Sequence, residues 1–265
     1  MVRVTQAEPI RRRSALRAGA GLTAALATGC AAPEPAATTA PAPKAHRTPG
    51  TARPARAAPA PRRFPGQPAQ IDHGPRTRDR VALTFHGQGD PAIARALLEE
   101  AERASAHVTV LAVGTWLDAH PDLARRILDG GHDLGNHTLH HIDINALSEA
   151  DAYAEITGCA TRIRRLTGSV GTWFRPSRTQ TATPLVARLA QRAGYPHVLS
   201  YDVDSLDFTS PGPATVVDNV AADLRPGSIV SLHFGYADTV AALPPLLDHL
   251  AGRGLSAVTC TELLS

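Results

Sequence analysis

Lysine is almost missing from this chain of 265 residues: Lys44 stands alone, and every other basic residue is an arginine. The bias reports genome composition and marks no site. Cysteine is scarce too, three in all, and no spacing between them suggests a cysteine metal centre. No repeat with a period of roughly 20 to 50 residues is visible, which excludes solenoids and propellers. Aromatic residues are absent from 31–79 apart from Phe64, although 11 of the 22 prolines fall there among Ala, Thr and Arg. Such a segment buries too little apolar surface to offset the entropy of ordering it. Residues 31–79 therefore read as a disordered or polyproline-like tether, and 80–265 as one folded unit.

Charge follows the same boundary, since 1–79 carry 13 basic and 4 acidic residues (+9) and 80–265 carry 14 and 20 (−6). A basic segment can mark nucleic-acid binding, but this one is proline-rich, has no interleaved aromatics and precedes an acidic domain. Nucleic acid is excluded as a partner on that ground. A basic tether beside an anionic membrane or wall fits better.

The apolar run that exists near the start is short. Arg12 and Arg13 precede a small and apolar stretch over 18–27, the charged and apolar regions of an export signal, too short for a finished transmembrane helix. The paired arginines resemble a twin-arginine signal. Leu26-Ala27-Thr28-Gly29-Cys30 resembles a bacterial lipobox, which makes Cys30 the expected lipid anchor to the membrane and 1–30 a signal segment. The chain is expected on the outer face of the cell membrane as a lipoprotein, or secreted, and as a monomer. Cys159 and Cys260 fall in a helix-like and a strand-like stretch, and are expected as buried free thiols.

From Arg80 onward short apolar runs alternate with helical patterns: 81–85, 91–104, 108–113, 121–128, and on to Leu264. Repeated strand and helix units with short connections argue for an α/β fold with a parallel sheet covered by helices. About seven strands favour a complete or incomplete (β/α) barrel, whose strand ends carry the chemistry.

Polar motifs stand at those ends. His137 and His141 lie four apart, a spacing that on one turn of helix projects both imidazoles to one side as ligands for zinc or a similar ion. Thr84-Phe85-His86-Gly87-Gln88-Gly89-Asp90-Pro91 ends a strand in a loosened turn holding a histidine and a carboxylate. Phe174-Arg175-Pro176-Ser177 places an arginine, Asp204-Ser205-Leu206-Asp207-Phe208 paired carboxylates, and Ile229-Val230-Ser231-Leu232-His233 a histidine at further strand ends. Successive strand ends make one shared site.

In that order the motifs resemble those of the NodB-homology deacetylases of carbohydrate esterase family 4, over 80–265. The resemblance implies a distorted barrel and metal-assisted removal of N- or O-acetyl groups from an acetylated polysaccharide. One departure matters: the family's Thr-Phe-Asp-Asp-Gly-Pro is replaced by a turn two residues longer with neither aspartate in place. The family uses the first aspartate as general base and the second as third metal ligand. His86 and Asp90 stand near the lost positions. One assignment puts His86 on the metal with His137 and His141, and makes Asp90 the base, held ionised by Arg175. The swapped one puts Asp90 on the metal and makes His86 the base. His233, paired with Asp207, is the implied acid for the leaving amine. Backbone N–H groups near Ser177 and Arg178 are expected at the oxyanion, and Val230 and Leu232 either line the acetyl pocket or belong to ordinary strand core. The alternative to an enzyme is a catalytically impaired carbohydrate-binding or wall-organising lipoprotein on the same fold.

Overall fold

The computed structural model describes residues 58–265. Strand β1 (Gln70–Ile71) is followed by β2 (Arg80–Gly87), helix α1 (Pro91–Arg103), β3 (Thr109–Ala112), α2 (Gly114–Ala119), α3 (Pro121–Asp129), β4 (Asp133–Asn136) and α4 (Glu149–Thr167). Then come α5 (Pro184–Arg192), β5 (Val198–Leu199), β6 (Val203–Asp204), α6 (Pro213–Asp223), β7 (Ile229–His233), α7 (Ala237–Gly252), β8 (Ser256–Ala257) and α8 (Cys260–Leu263).

The strands pair in the order β4, β3, β2, β7, β6, with β8 on the start of β2, and β1 pairs with β5. Every ladder between named strands is parallel. Single parallel bridges from Phe174 to Asn136 and to Val198 carry the curve from β4 to β5. The result is the incomplete parallel barrel expected from the alternating pattern. Strand β2 is buried at every position after Arg80, as a strand covered on both faces must be. The main core lies between the sheet and the outer helices, where Leu83, Phe85, Val110, Val230 and Leu232 meet residues such as Leu97, Leu117 and Leu246.

Local chemistry sets the helix ends. Asp90 caps α1 by accepting from Ala92 N at 2.8 Å, and Pro91 opens the helix. Ser148 caps α4, which ends at Gly168 in the left-handed region with φ 83°. Among the described residues Cys159 and Cys260 are free and buried, and burial pushes both thiols up to about 12.

The folded part begins before Arg80. Phe64 is buried and stacks on Trp173 with ring centroids 5.1 Å apart, its N–H donates to His197 Nε2, and Ile71 is fully buried beside β5. Residues 58–79 were expected in the tether because their mean apolar content is low. Two well-placed large side chains anchor them nonetheless. The rest of the expected tether, the signal segment and Cys30 lie outside the described residues.

Candidate metal and acid–base site

Register gathers the site. His86 on β2 pairs with His233 on β7, and the next position, Gly87, pairs with Ala112, itself opposite Asn136 at the end of β4. The C-terminal ends of four parallel strands thus stop at one level, and the side chains there face one another.

His86, His137 and His141 each offer a ring nitrogen within 4.8 Å of the other two. The ring of His137 lies 4.4 Å from that of His86 and 4.8 Å from that of His141. His137 Nδ1 is 3.1 Å from Arg175 O, so it carries the proton, and the buried Nε2 is left without a hydrogen-bond partner. A buried nitrogen lone pair with nothing to accept is costly unless a cation or a ligand satisfies it. Burial, then the neighbouring rings of His137 and His233 and the Arg175 guanidinium, hold His86 well below the ordinary histidine value. His137 is held low by burial and by His141, and His141 is pushed down to about 4 by burial and by Arg178. All three are neutral at pH 7, the state that ligates metal. Three neutral imidazoles, one with an orphaned nitrogen, fit zinc or a similar divalent ion.

The pair His137 and His141 does not sit on a helix. Residues 137–141 form a bend in which Thr138 has φ 67° and His141 φ 57°. Asn136 explains the turn: its Oδ1 accepts from Thr138 N at 2.9 Å, while its Nδ2 donates to Ile156 O and Tyr195 Oη. A side chain that takes the local N–H competes with the helical ladder. Left-handed backbone at a β-branched residue costs on the order of 1–3 kcal/mol, which the surroundings must offset.

Arg175 is fully buried, yet the expected pairing with Asp90 is not formed. Its guanidinium donates to Thr84 Oγ1 (2.8 Å), Leu199 O (3.2 Å) and Ser200 O (2.9 Å), and its Nη1 is 3.3 Å from His86 Nε2. Burial pulls Arg175 down to about 10, so it remains a cation. Asp90 is exposed, with its carboxylate engaged at the start of α1. The extra length of the turn explains this, since it carries Asp90 past the strand end to the cap position before α1.

His233 is anchored twice by one fully buried carboxylate: its Nδ1 lies 2.7 Å from Asp207 Oδ1 and its backbone N–H donates to Asp207 Oδ2 at 2.8 Å. Thr239 Oγ1 donates to the same Oδ2. The Nδ1 proton is thereby fixed and Nε2 left to face reactants. The ring of His233 lies 4.2 Å from that of His86.

Val230 and Leu232 face away from this site into the core under the helices. Strand alternation decides it: Ser231 and His233 occupy the other face, with Ser231 Oγ 3.2 Å from His86 Nε2. Ser231 was legible from that alternation and was missed. Ser177 and Arg178 hold the His141 bend with their side chains, Ser177 Oγ donating to Ile142 O and Arg178 Nε to His141 O. Tyr201, also missed, lies under the Arg175 guanidinium at 5.3 Å with its ring 6.5 Å from that of His86, and no motif flags it. The exposed large hydrophobics among the described residues, Ile142, Leu206 and Phe208, all flank site residues. Gly87 is tied to its type, because a Cβ there would meet Ala112 Cα at 3.0 Å and Val110 Cγ1 at 2.9 Å.

The chain is similar in sequence and in fold to known proteins. The pattern of the polysaccharide deacetylase family matches residues 73–198. A peptidoglycan-N-acetylglucosamine deacetylase of Bacillus cereus is 30% identical over 194 residues, 72% of this chain and 90% of that protein. The chain belongs to the polysaccharide deacetylase family. A chitooligosaccharide deacetylase of Bradyrhizobium is 28% identical over 66% of this chain and 85% of its own length. The fold is shared with a family 4 pseudoenzyme of Bacillus anthracis, at a TM-score of 0.71, 24% identity and coverage of 75% of this chain and 70% of that one. As a polysaccharide deacetylase, the protein is a hydrolase of carbon–nitrogen bonds other than peptide bonds.

Proposed function

We propose that this polysaccharide deacetylase is metal-dependent and removes N-acetyl groups from a glucosamine-containing glycan of the cell envelope. The relatives are named as deacetylases of peptidoglycan N-acetylglucosamine and of chitooligosaccharide, two glycans that both contain N-acetylglucosamine. One observation carries the reading: a neutral three-histidine cluster lies against an Asp207-anchored histidine, with the His233 ring 4.2 Å from that of His86.

His86, His137 and His141 would hold the ion, which supplies Lewis-acid polarisation of the acetyl carbonyl and an acidified water. With Asp90 at a helix cap, proton transfer falls to His233. Its Nε2 takes a proton from the attacking water and delivers it to the departing amine, while Asp207 keeps the proton on Nδ1 and steadies the imidazolium. Burial keeps His86 neutral, and the Arg175 guanidinium 3.3 Å away adds to this by opposing a second positive charge. Phe208, exposed and with its ring 5.4 Å from that of His233, offers an apolar wall to a sugar face.

Acetate release from N-acetylglucosamine oligomers by residues 58–265, with and without chelator, tests the proposal. Release that stops with chelator and returns with zinc supports it. The one carboxylate of the first motif, Asp90, is engaged as a helix cap, which favours the non-catalytic alternative, and bound metal without acetate release would put that reading in front. Among the described residues no helix is long and apolar enough to cross a membrane. Anchoring is proposed through lipid on Cys30, where two acyl chains give stable attachment. Cys30→Ser should release the protein into the medium, and full membrane retention would count against the lipobox.

A further inference from the structure

Helix α4 contributes a buried carboxylate that the proposed chemistry leaves unused. Glu155 is 6% exposed. Its Oε2 accepts from Leu139 N at 3.0 Å and from His140 N at 2.9 Å, and its Oε1 lies 2.6 Å from His140 Nδ1. These amides belong to the bend between His137 and His141. The carbonyls of the same bend are taken from the opposite side, where Gly114 N donates to Thr138 O and Thr115 N to Leu139 O at the start of α2. Leu139 seats its side chain between two glycines, since a Cβ on Gly114 or on Gly158 would meet a Leu139 methyl at 2.8 Å. Gly158 is three residues after Glu155, so both lie on one face of α4, and the missing Cβ lets the helix come close enough for the carboxylate to reach the backbone.

We propose that Glu155 is the positioning residue of the histidine cluster, holding His137 and His141 in ligating geometry through the Leu139 and His140 amides. The inference rests on the metal reading above. The bend has two left-handed residues, Thr138 and His141, and little regular structure of its own. Without an acceptor at Glu155 two adjacent, partly buried N–H groups lose their partner, and the bend relaxes to regain one. His141 then swings relative to His137, which is set separately by Arg175 O. Ligand geometry is what such supporting contacts control, typically by about 10- to 100-fold in metal affinity.

The test uses residues 58–265 stripped of metal, with Glu155→Ala and Glu155→Gln. Gln keeps one oxygen for the two amides and can donate its NH₂ to His140 Nδ1, so it preserves the positioning contact without the charge. Zinc affinity measured against a chromogenic competitor should fall about 10- to 100-fold in Glu155→Ala and stay within about threefold in Glu155→Gln. Amide hydrogen exchange in the metal-free wild type should show Leu139 and His140 protected, and both unprotected in Glu155→Ala while the amides of β2 and β3 stay protected. A folded Glu155→Ala domain with wild-type zinc affinity overturns the proposal, as do unprotected Leu139 and His140 amides in the wild type. Should Glu155→Ala not fold, the decision passes to Glu155→Gln and the wild-type exchange, where a large loss of affinity in Gln rejects positioning through the backbone. A wild-type domain that takes up no zinc fails the metal reading instead, and the exchange result still reports on Glu155 alone.

Discussion

His233 and Asp207 are joined by two hydrogen bonds, one from the imidazole and one from the backbone of the same histidine. Ring and main chain are thereby fixed against one carboxylate, and rotating the ring away breaks only half of the contact. Asp207→Asn should keep the fold and the metal but lower acetate release on the order of 10²- to 10⁴-fold, by allowing the wrong tautomer. His233→Ala should lose a similar factor. Rate and metal content on the same samples check this, and a rate within threefold of wild type in either variant removes His233 from the chemistry.

The first motif gives the second expected outcome. Replacing His86, His137 or His141 with Ala should remove most of the bound zinc, since two neutral imidazoles are left where three converge. Asp90→Ala should keep metal and acetate release, and cost about 0.5–2 kcal/mol of stability as a lost helix cap. Metal analysis and denaturant midpoints on the four variants decide it. A large rate loss with metal retained in Asp90→Ala would restore Asp90 as the base, and metal loss there would favour the swapped scheme.

Acid should weaken the metal-free domain through a histidine far from the site. His132 is buried, accepts from Val108 N at 3.1 Å, and is pushed down to about 4 by burial against the opposing pull of Glu102. Above pH 6.5 it is neutral whether the chain is folded or not and adds no pH dependence. As pH falls from 6.5 towards 4 the unfolded chain takes up a proton that the folded one refuses, so stability declines, and below about 4 the loss is complete. At about 1.4 kcal/mol per pH unit this is on the order of 3 kcal/mol. Urea midpoints at pH 7 and 4.5 should differ more in wild type than in His132→Gln, whose amide accepts from Val108 N without titrating. Equal differences would mean that His132 is already charged.

Truncation should separate the two boundaries of the domain. A chain starting at residue 58 keeps the Phe64 stack on Trp173 and the β1 pairing, and one starting at 80 exposes Trp173 and the face of β5. Phe64→Ala should cost about 3–5 kcal/mol, as for other buried aromatics. Thermal unfolding of both truncations and of the point variant measures it. A protease-resistant fragment that begins near 80 and melts like the longer chain would return 58–79 to the tether.

The alternation of apolar runs and helical patterns from 81 onward determined the class of fold, because burial on both faces of a parallel strand leaves a continuous apolar run that needs no partner to be seen. Histidines, Arg175 and Asp207 at strand ends were legible for the same reason: a polar residue closing an apolar run has few other uses. What the chain order left open was decided by tertiary geometry. Asp90 and His86 are four residues apart, yet one caps a helix and the other joins the histidine cluster, since the longer turn carries Asp90 beyond the strand end. The bend at 137–141 has the spacing of a helix and the backbone of a turn, because Asn136 and Glu155 capture its amides from outside. Contacts between residues 15 or more positions apart, such as Glu155 with His140 or Phe64 with Trp173, leave no local periodicity, and only packing brings them together.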